Sequence, residues 1–181
     1  MSNKLIKKKY DEKHDIDVII PAYKAQGTIL RTLSSICEQS IREKLNVIIV
    51  NDGDPDGKDY SEFVKMFSPY IDIKEIKLPE NSGPGVARQK GIEEGNAKYF
   101  TCIDADDTFY GAIALEGLQK CMEASDVIQC VSGTFLQLSD DVQKVLPHNN
   151  DMVWMFGKLY KREFIEKYEI KFNDTRANED T

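Results

Sequence analysis

Cysteine and histidine are scarce in this chain, with four and two among 181 residues, and neither type clusters. Cys37, Cys102, Cys121 and Cys130 show no paired spacing, so they read as buried free thiols in a reducing compartment. His14 falls in an N-terminal tail and carries no signal. His148, in the polar loop Pro147-His148-Asn149-Asn150, has no spaced partner and reads as a surface residue. Long apolar runs are also missing. None approaches the ~20 residues that span a bilayer, and the charged N-terminus has no apolar stretch of the kind a signal peptide needs. Positive charge is in deficit: 24 Lys and Arg against 31 Asp and Glu give a net charge of -7. A nucleic-acid binder would present a basic face, so that class is excluded. The one basic cluster, Lys7-Lys8-Lys9, reads as a solvated arm. Internal repeats and low-complexity tracts are absent. The expectation is a cytoplasmic protein with no integral membrane segment, with peripheral association left open.

Hydrophobic residues make up 41% and charged residues 30%, a globular mixture long enough for one domain with a substantial core. Short apolar runs alternate with helical spacing. Val18-Ile19-Ile20-Pro21 reads as a buried strand, and Ile29, Leu30, Leu33, Ile36 and Cys37 recur as on a helix, with Thr28 as its N-cap. Val47-Ile48-Ile49-Val50 is a second strand, followed by the turn-rich Asn51-Asp52-Gly53-Asp54-Pro55-Asp56-Gly57. A helix through Phe63, Val64 and Phe67 leads to a strand over Ile71 to Leu78. A helix over Gly83 to Gly95 leads to Tyr99-Phe100-Thr101-Cys102-Ile103, a fourth strand. Continuous apolar strands alternating with helices predict an α/β fold with a mostly parallel central sheet flanked by helices. After Gly111 the pattern changes: a helix over Ala112 to Ala124, extended chain over Val127 to Leu138, a strand over Val153 to Tyr160, a short helix over Lys161 to Tyr168. The organisation read from this is a basic tail over 1–15, an α/β half over 16–110, and a small α+β extension of the same domain over 111–181.

The fourth strand ends in Asp104-Ala105-Asp106-Asp107. Ligands of open α/β sheets bind at the carboxyl ends of strands. Two acids one residue apart at such an edge can hold a divalent cation and reach a sugar hydroxyl, and magnesium is usually held by one or two carboxylates plus substrate phosphates. Three acids together repel one another without a cation or a basic partner. Other polar segments follow the other strands: Pro21-Ala22-Tyr23-Lys24, Asn51-Asp52-Gly53, and Asn81-Ser82-Gly83-Pro84-Gly85-Val86-Ala87-Arg88 opening a helix. The glycines allow close backbone approach, and a helix start offers N–H groups and a positive dipole end. The chain closes on Asn178-Glu179-Asp180. In this order, and over about Asp17 to Thr181, these segments resemble the family 2 glycosyltransferases, which have the GT-A (Rossmann-like) fold.

The resemblance implies a metal-dependent, inverting transferase of the hexosyltransferase type. It would move a sugar from a nucleoside-diphosphate sugar, most simply UDP-linked, to a carbohydrate, glycolipid or protein acceptor. It implies that Pro21, Ala22 and Tyr23, with Asp52, hold the base: Tyr23 by stacking and Asp52 by accepting the uracil N–H. It implies that Gly85 and Arg88 serve the phosphates or ribose. Asp104 would contact the ribose or sugar, Ala105 would lie between the two acids, and Asp106 would bind Mn2+ or Mg2+. Asp107 is a further ligand or a cap. Asp180 matches the general base, with Glu179 on the acceptor or a loop; Trp154 and Lys158 would line the acceptor or diphosphate side. Gln89 stands where the family usually has asparagine, and homologues usually continue beyond Asp180 with acceptor-side helices.

Two other classes compete. A nucleotide-sugar-binding module without transfer would keep the base and metal sites alone. Asp104-Ala105-Asp106-Asp107-Thr108 also satisfies the signature of haloacid dehalogenase-like phosphatases, with Asp104 as nucleophile. That signature normally follows the first strand of its domain, whereas three βα units precede it here. A calcium loop from Asp52 fails on spacing, since its twelfth position is Phe63. The glycines at 83 and 85 lack the Lys-Ser/Thr of a P-loop.

Overall fold

The computed structural model describes residues 10–138, 145–148 and 155–172. Six strands form one sheet in the order β3-β2-β1-β4-β8-β5. These are β1 (Ile16–Ala22), β2 (Leu45–Asn51), β3 (Asp72–Lys77), β4 (Tyr99–Cys102), β5 (Cys130–Ser132) and β8 (Lys158–Lys161). A separate hairpin pairs β6 (Phe135–Leu138) with β7 (Val145–His148). The helices are α1 (Ile29–Cys37), α2 (Ser61–Phe67), α3 (Pro84–Glu94), α4 (Ala114–Glu123) and α5 (Arg162–Lys167). β1 to β4 run parallel, and β8 pairs antiparallel with both β4 and β5. The fold is thus α/β with a mixed, mostly parallel sheet.

Burial follows strand position. All seven residues of β1 are buried, since it lies inside the sheet with a helix layer on each face. β3, at the edge, mixes two isoleucines with Asp, Lys and Glu and is only half-buried. The larger core gathers Ile29, Leu33 and Ile36 of α1 against Val18, Ile20, Val47 and Ile49. The opposite face carries α3, seated close because position 91 is glycine: a Cβ there would lie 2.4 Å from Ile19 Cγ2. That close seating brings the start of α3 to the carboxyl ends of the strands.

Four expectations need correction. Thr28 occupies the N-cap position of α1 but does not cap it; its hydroxyl donates to the Ala25 carbonyl at 3.2 Å. Only Cys102 is fully buried, while Cys121 and Cys130 are exposed, because they sit on the outer side of α4 and on the edge strand β5. His14 is not an idle tail residue. It is buried, with Nδ1 against Asp11 and Nε2 2.6 Å from Asp72 Oδ2, and it ties the segment before β1 to β3. His148 lies in β7 rather than a loop. Among the described residues, no helix is long and apolar enough to cross a membrane.

Candidate active site

The strand order reverses between β1 and β4. β2 and β3 lie to one side of β1, and β4 starts the other. In open α/β sheets such a switch point leaves a crevice at the carboxyl ends of the strands. Here the crevice has a volume of about 600 Å3. Its walls include Pro21, Ala22, Tyr23, Asp52, Arg88, Asp104, Ala105 and Asp106, so segments separated by up to 85 positions in sequence meet at one edge. Lys24, Ala25, Thr28, Asn81, Gly83 and Pro84 complete the lining. Gly85 is not part of this lining; it is buried in the first turn of α3, next to Gly83 and Pro84, which are. Asp180 and Trp154 lie outside the described residues. Lys158 is buried at the start of β8.

Each acid has a distinct setting. Asp52 is buried and accepts the main-chain N–H groups of Ser82 at 2.8 Å and Gly83 at 2.9 Å, one on each oxygen. It therefore hangs the loop that opens α3 from the end of β2. A carboxylate oxygen has two lone pairs, so acceptor capacity is left for a ligand. Gly53 beside it has φ +65, and a Cβ would lie 2.2 Å from the Glu80 carbonyl carbon, which fixes glycine there. Asp104 accepts Arg88 Nη2 at 2.7 Å, an ion pair whose arginine side chain is only 5% exposed. The basic partner that an acid cluster requires is thus supplied from α3.

Asp106 is exposed, and among the described residues its carboxylate accepts no hydrogen bond. Its main-chain carbonyl is held by Arg31 of α1. Asp107 is pushed up to about 6, first by burial, then by the charges of Asp104 and Asp106, with Arg31 opposing. Among the described residues no group of three or more His, Cys, Asp or Glu side chains is placed to hold a metal. One exposed carboxylate beside a diphosphate-sized crevice fits a cation that takes most of its ligands from substrate phosphates and water.

The crevice also has a feature that composition gave no reason to single out. Asp54 binds the Lys24 main-chain N–H, the Gln26 side-chain amide and the Tyr60 hydroxyl, the last at 2.9 Å. In sequence it is one acid among several in a turn, and its partners lie up to 30 positions away.

The profile of the family described as Glycosyl transferase family 2 matches residues 17–177. The chain belongs to that family. The match runs through every crevice segment and displaces the phosphatase reading. Among curated relatives, an uncharacterised glycosyltransferase of Rickettsia bellii is 33% identical over 135 residues, which is 75% of this chain and 19% of the relative. The uncharacterised glycosyltransferase YibD of Escherichia coli is 26% identical, over 87% of this chain and 51% of the relative. The chain therefore spans about half the length, or less, of these two relatives. Among solved structures, the mannosyltransferase PcManGT of Pyrobaculum calidifontis in complex with GDP-Man and Mn2+ superposes with a TM-score of 0.71 at 21% identity, over 96% of this chain and 53% of that one. S. aureus TarS 1-349 in complex with UDP gives 0.70 at 18% identity, over 92% and 52%. At such identities the likeness establishes the fold, which is GT-A.

Proposed function

We propose that this chain transfers a sugar from a nucleoside-diphosphate sugar, most simply UDP-linked, to an acceptor hydroxyl on a carbohydrate, glycolipid or protein. The observation that carries the reading is the meeting of Asp52, Arg88, Asp104 and Asp106 at the β1/β4 switch point, inside a stretch matched by the family profile. Solved structures of the same fold hold UDP-GlcNAc in one case and GDP-Man with Mn2+ in another, which supports a sugar nucleotide as the donor.

In this reading Tyr23 stacks on the base and Asp52 accepts its ring N–H. Asp104, fixed by Arg88, meets the ribose or sugar hydroxyls. Asp106 would hold Mn2+ or Mg2+ against the diphosphate. Bound there, the ion supplies charge stabilisation to the departing β-phosphate, an effect of several kcal/mol in such sites. Asp180 acts as general base: it takes the acceptor proton as the acceptor oxygen bonds to the anomeric carbon and the bond to the β-phosphate breaks. With Asp180 as the one base and no carboxylate assigned as nucleophile, this reading is a single in-line displacement with inversion.

The roles separate in kinetics. Asp180→Asn should leave donor affinity near normal and lower turnover by about 100-fold or more. Asp106→Ala should abolish metal-dependent donor binding. Transfer assayed with a panel of UDP- and GDP-sugars checks both, and equal loss of donor binding in the two variants contradicts the assignment.

A further inference from the structure

The loop that follows β1 forms one wall of the crevice through Tyr23, Lys24 and Ala25. Its Ala25 end is tied to the start of α1, where the Thr28 and Ile29 N–H groups donate to the Ala25 carbonyl at 3.0 Å, but the Tyr23–Lys24 end is less well supported. Tyr23 is 43% exposed, and Lys24 adopts φ 54, a left-handed backbone that a side chain with Cβ disfavours. Lys24 Nζ lies 4.9 Å from the centre of the Tyr23 ring, so the two side chains form one unit at the crevice mouth. What holds that unit comes from outside the loop. The Asp54 carboxylate takes the Lys24 N–H and the Gln26 side-chain amide. It also takes the hydroxyl of Tyr60, a fully buried ring, and that hydroxyl in turn accepts the Ala25 N–H at 3.1 Å. Asp54 is itself anchored to β2, since its N–H donates to Asn51 Oδ1 at 2.9 Å, and Asn51 Nδ2 reaches Glu75 on β3 at 3.0 Å. A chain of hydrogen bonds thus runs from the sheet through Asp54 and Tyr60 to the main chain of the wall.

We propose that Asp54 is a positioning residue for the nucleotide base: it touches no ligand, and it holds Tyr23 and Lys24 in the geometry that closes the base side of the donor pocket. This rests on the donor-site reading above. The phosphate and metal side depends on Asp106 and Arg88, and the hydrogen bonds from Arg31 to the Asp106 carbonyl and from Arg88 to Asp104 do not involve Asp54. Loss of Asp54 should therefore weaken binding of the base and spare binding of the metal diphosphate.

The test compares Asp54→Ala, Asp54→Asn and Tyr60→Phe with wild type by calorimetry. The ligands are UDP or GDP, whichever wild type binds, its monophosphate, and manganese pyrophosphate. Asp54→Ala should weaken the monophosphate by about tenfold, as expected for losing charged hydrogen bonds, and change manganese pyrophosphate by less than about twofold. Asp54→Asn keeps acceptor oxygen and should recover about half of the loss on a logarithmic scale. Hydrogen exchange gives a ligand-free arm. The Lys24 and Ala25 amides should exchange faster in Asp54→Ala, while Ser82 and Gly83, held by Asp52, should not change. Unchanged monophosphate binding in Asp54→Ala overturns the proposal alone. So does an equal loss for monophosphate and pyrophosphate, or loss of Ser82 and Gly83 protection, since either marks general loosening. Wild-type protein that binds neither nucleotide overturns the donor-site reading and this proposal with it.

Discussion

Asp104 and Asp106 stand two residues apart in one loop, yet they face opposite demands. Asp104 is neutralised by Arg88 from α3, whereas Asp106 points its carboxylate to solvent while Arg31 grips its carbonyl. The first arrangement is already complete; the second leaves a carboxylate open to solvent. Gly53 shows how tightly the surrounding loops are set. Gly53→Ala should cost about 2 kcal/mol or more, combining a disfavoured positive φ with a Cβ overlapping main chain at 2.2 Å, as urea denaturation would show. Asp11 and Asp72 give a pH prediction. Hydrogen bonds from Lys13, then His14, hold both below the ordinary value of 3.8. A carboxylate whose folded value is depressed contributes stability above its unfolded value, and that contribution disappears as pH falls through the folded value. The clasp on β3 should therefore loosen below about pH 4, and Asp72→Asn should flatten the acid limb of the melting-temperature profile. An unchanged acid limb in that variant would contradict the clasp.

At the scale of elements, the α/β half was readable because its signals are local. β1, β2 and β4 are runs of apolar residues buried on both faces, and α1 places Ile29, Leu33 and Ile36 on one side. The acids at the ends of β2 and β4 announced the crevice because motif and strand end coincide in sequence. What could not be read depends on distant partners. Arg162, at the start of α5, is fully buried and donates to Asp17 Oδ2 at 2.6 Å, 145 positions earlier, and to the Ala97 carbonyl at 2.8 Å. Position 95 must be glycine to admit this pair, since a Cβ would lie 2.3 Å from Asp17 Oδ2. Nothing in the run Tyr160-Lys161-Arg162-Glu163 distinguishes that arginine from its charged neighbours. Asp54 escaped notice for the same reason, and so did His14. The ion pair locks α5 and β8 to the amino-terminal ends of β1 and β4. Arg162→Ala leaves the Asp17 carboxylate buried without its cation, held only by the Asn46 amide and the Ala97 N–H, and should cost about 3–5 kcal/mol. A thermal melt matching wild type would show that the lock carries no stability.

For the whole molecule, one sheet divides the labour. Its amino-terminal edge carries the structural pair Asp17–Arg162, and its carboxyl-terminal edge carries the crevice. Cysteine reactivity reports this layout. Cys102, at the end of β4 beneath the acids, is pushed up to about 12, chiefly by burial, and should stay unlabelled by a thiol reagent at pH 8 until the protein is denatured. Cys121 and Cys130 should label in the native state. Rapid labelling of Cys102 in folded protein would mean that the core beneath the crevice is open.

The central claim is that the crevice at the β1/β4 switch point binds a metal-bound nucleoside diphosphate. Calorimetric titration of UDP and GDP, with and without manganese, into wild-type protein and Asp106→Ala tests it most directly. The account predicts manganese-dependent binding of one of the two nucleotides by wild type, lost in Asp106→Ala while the variant keeps its melting temperature. Failure of wild type to bind either nucleotide, or equal binding by Asp106→Ala, would contradict it.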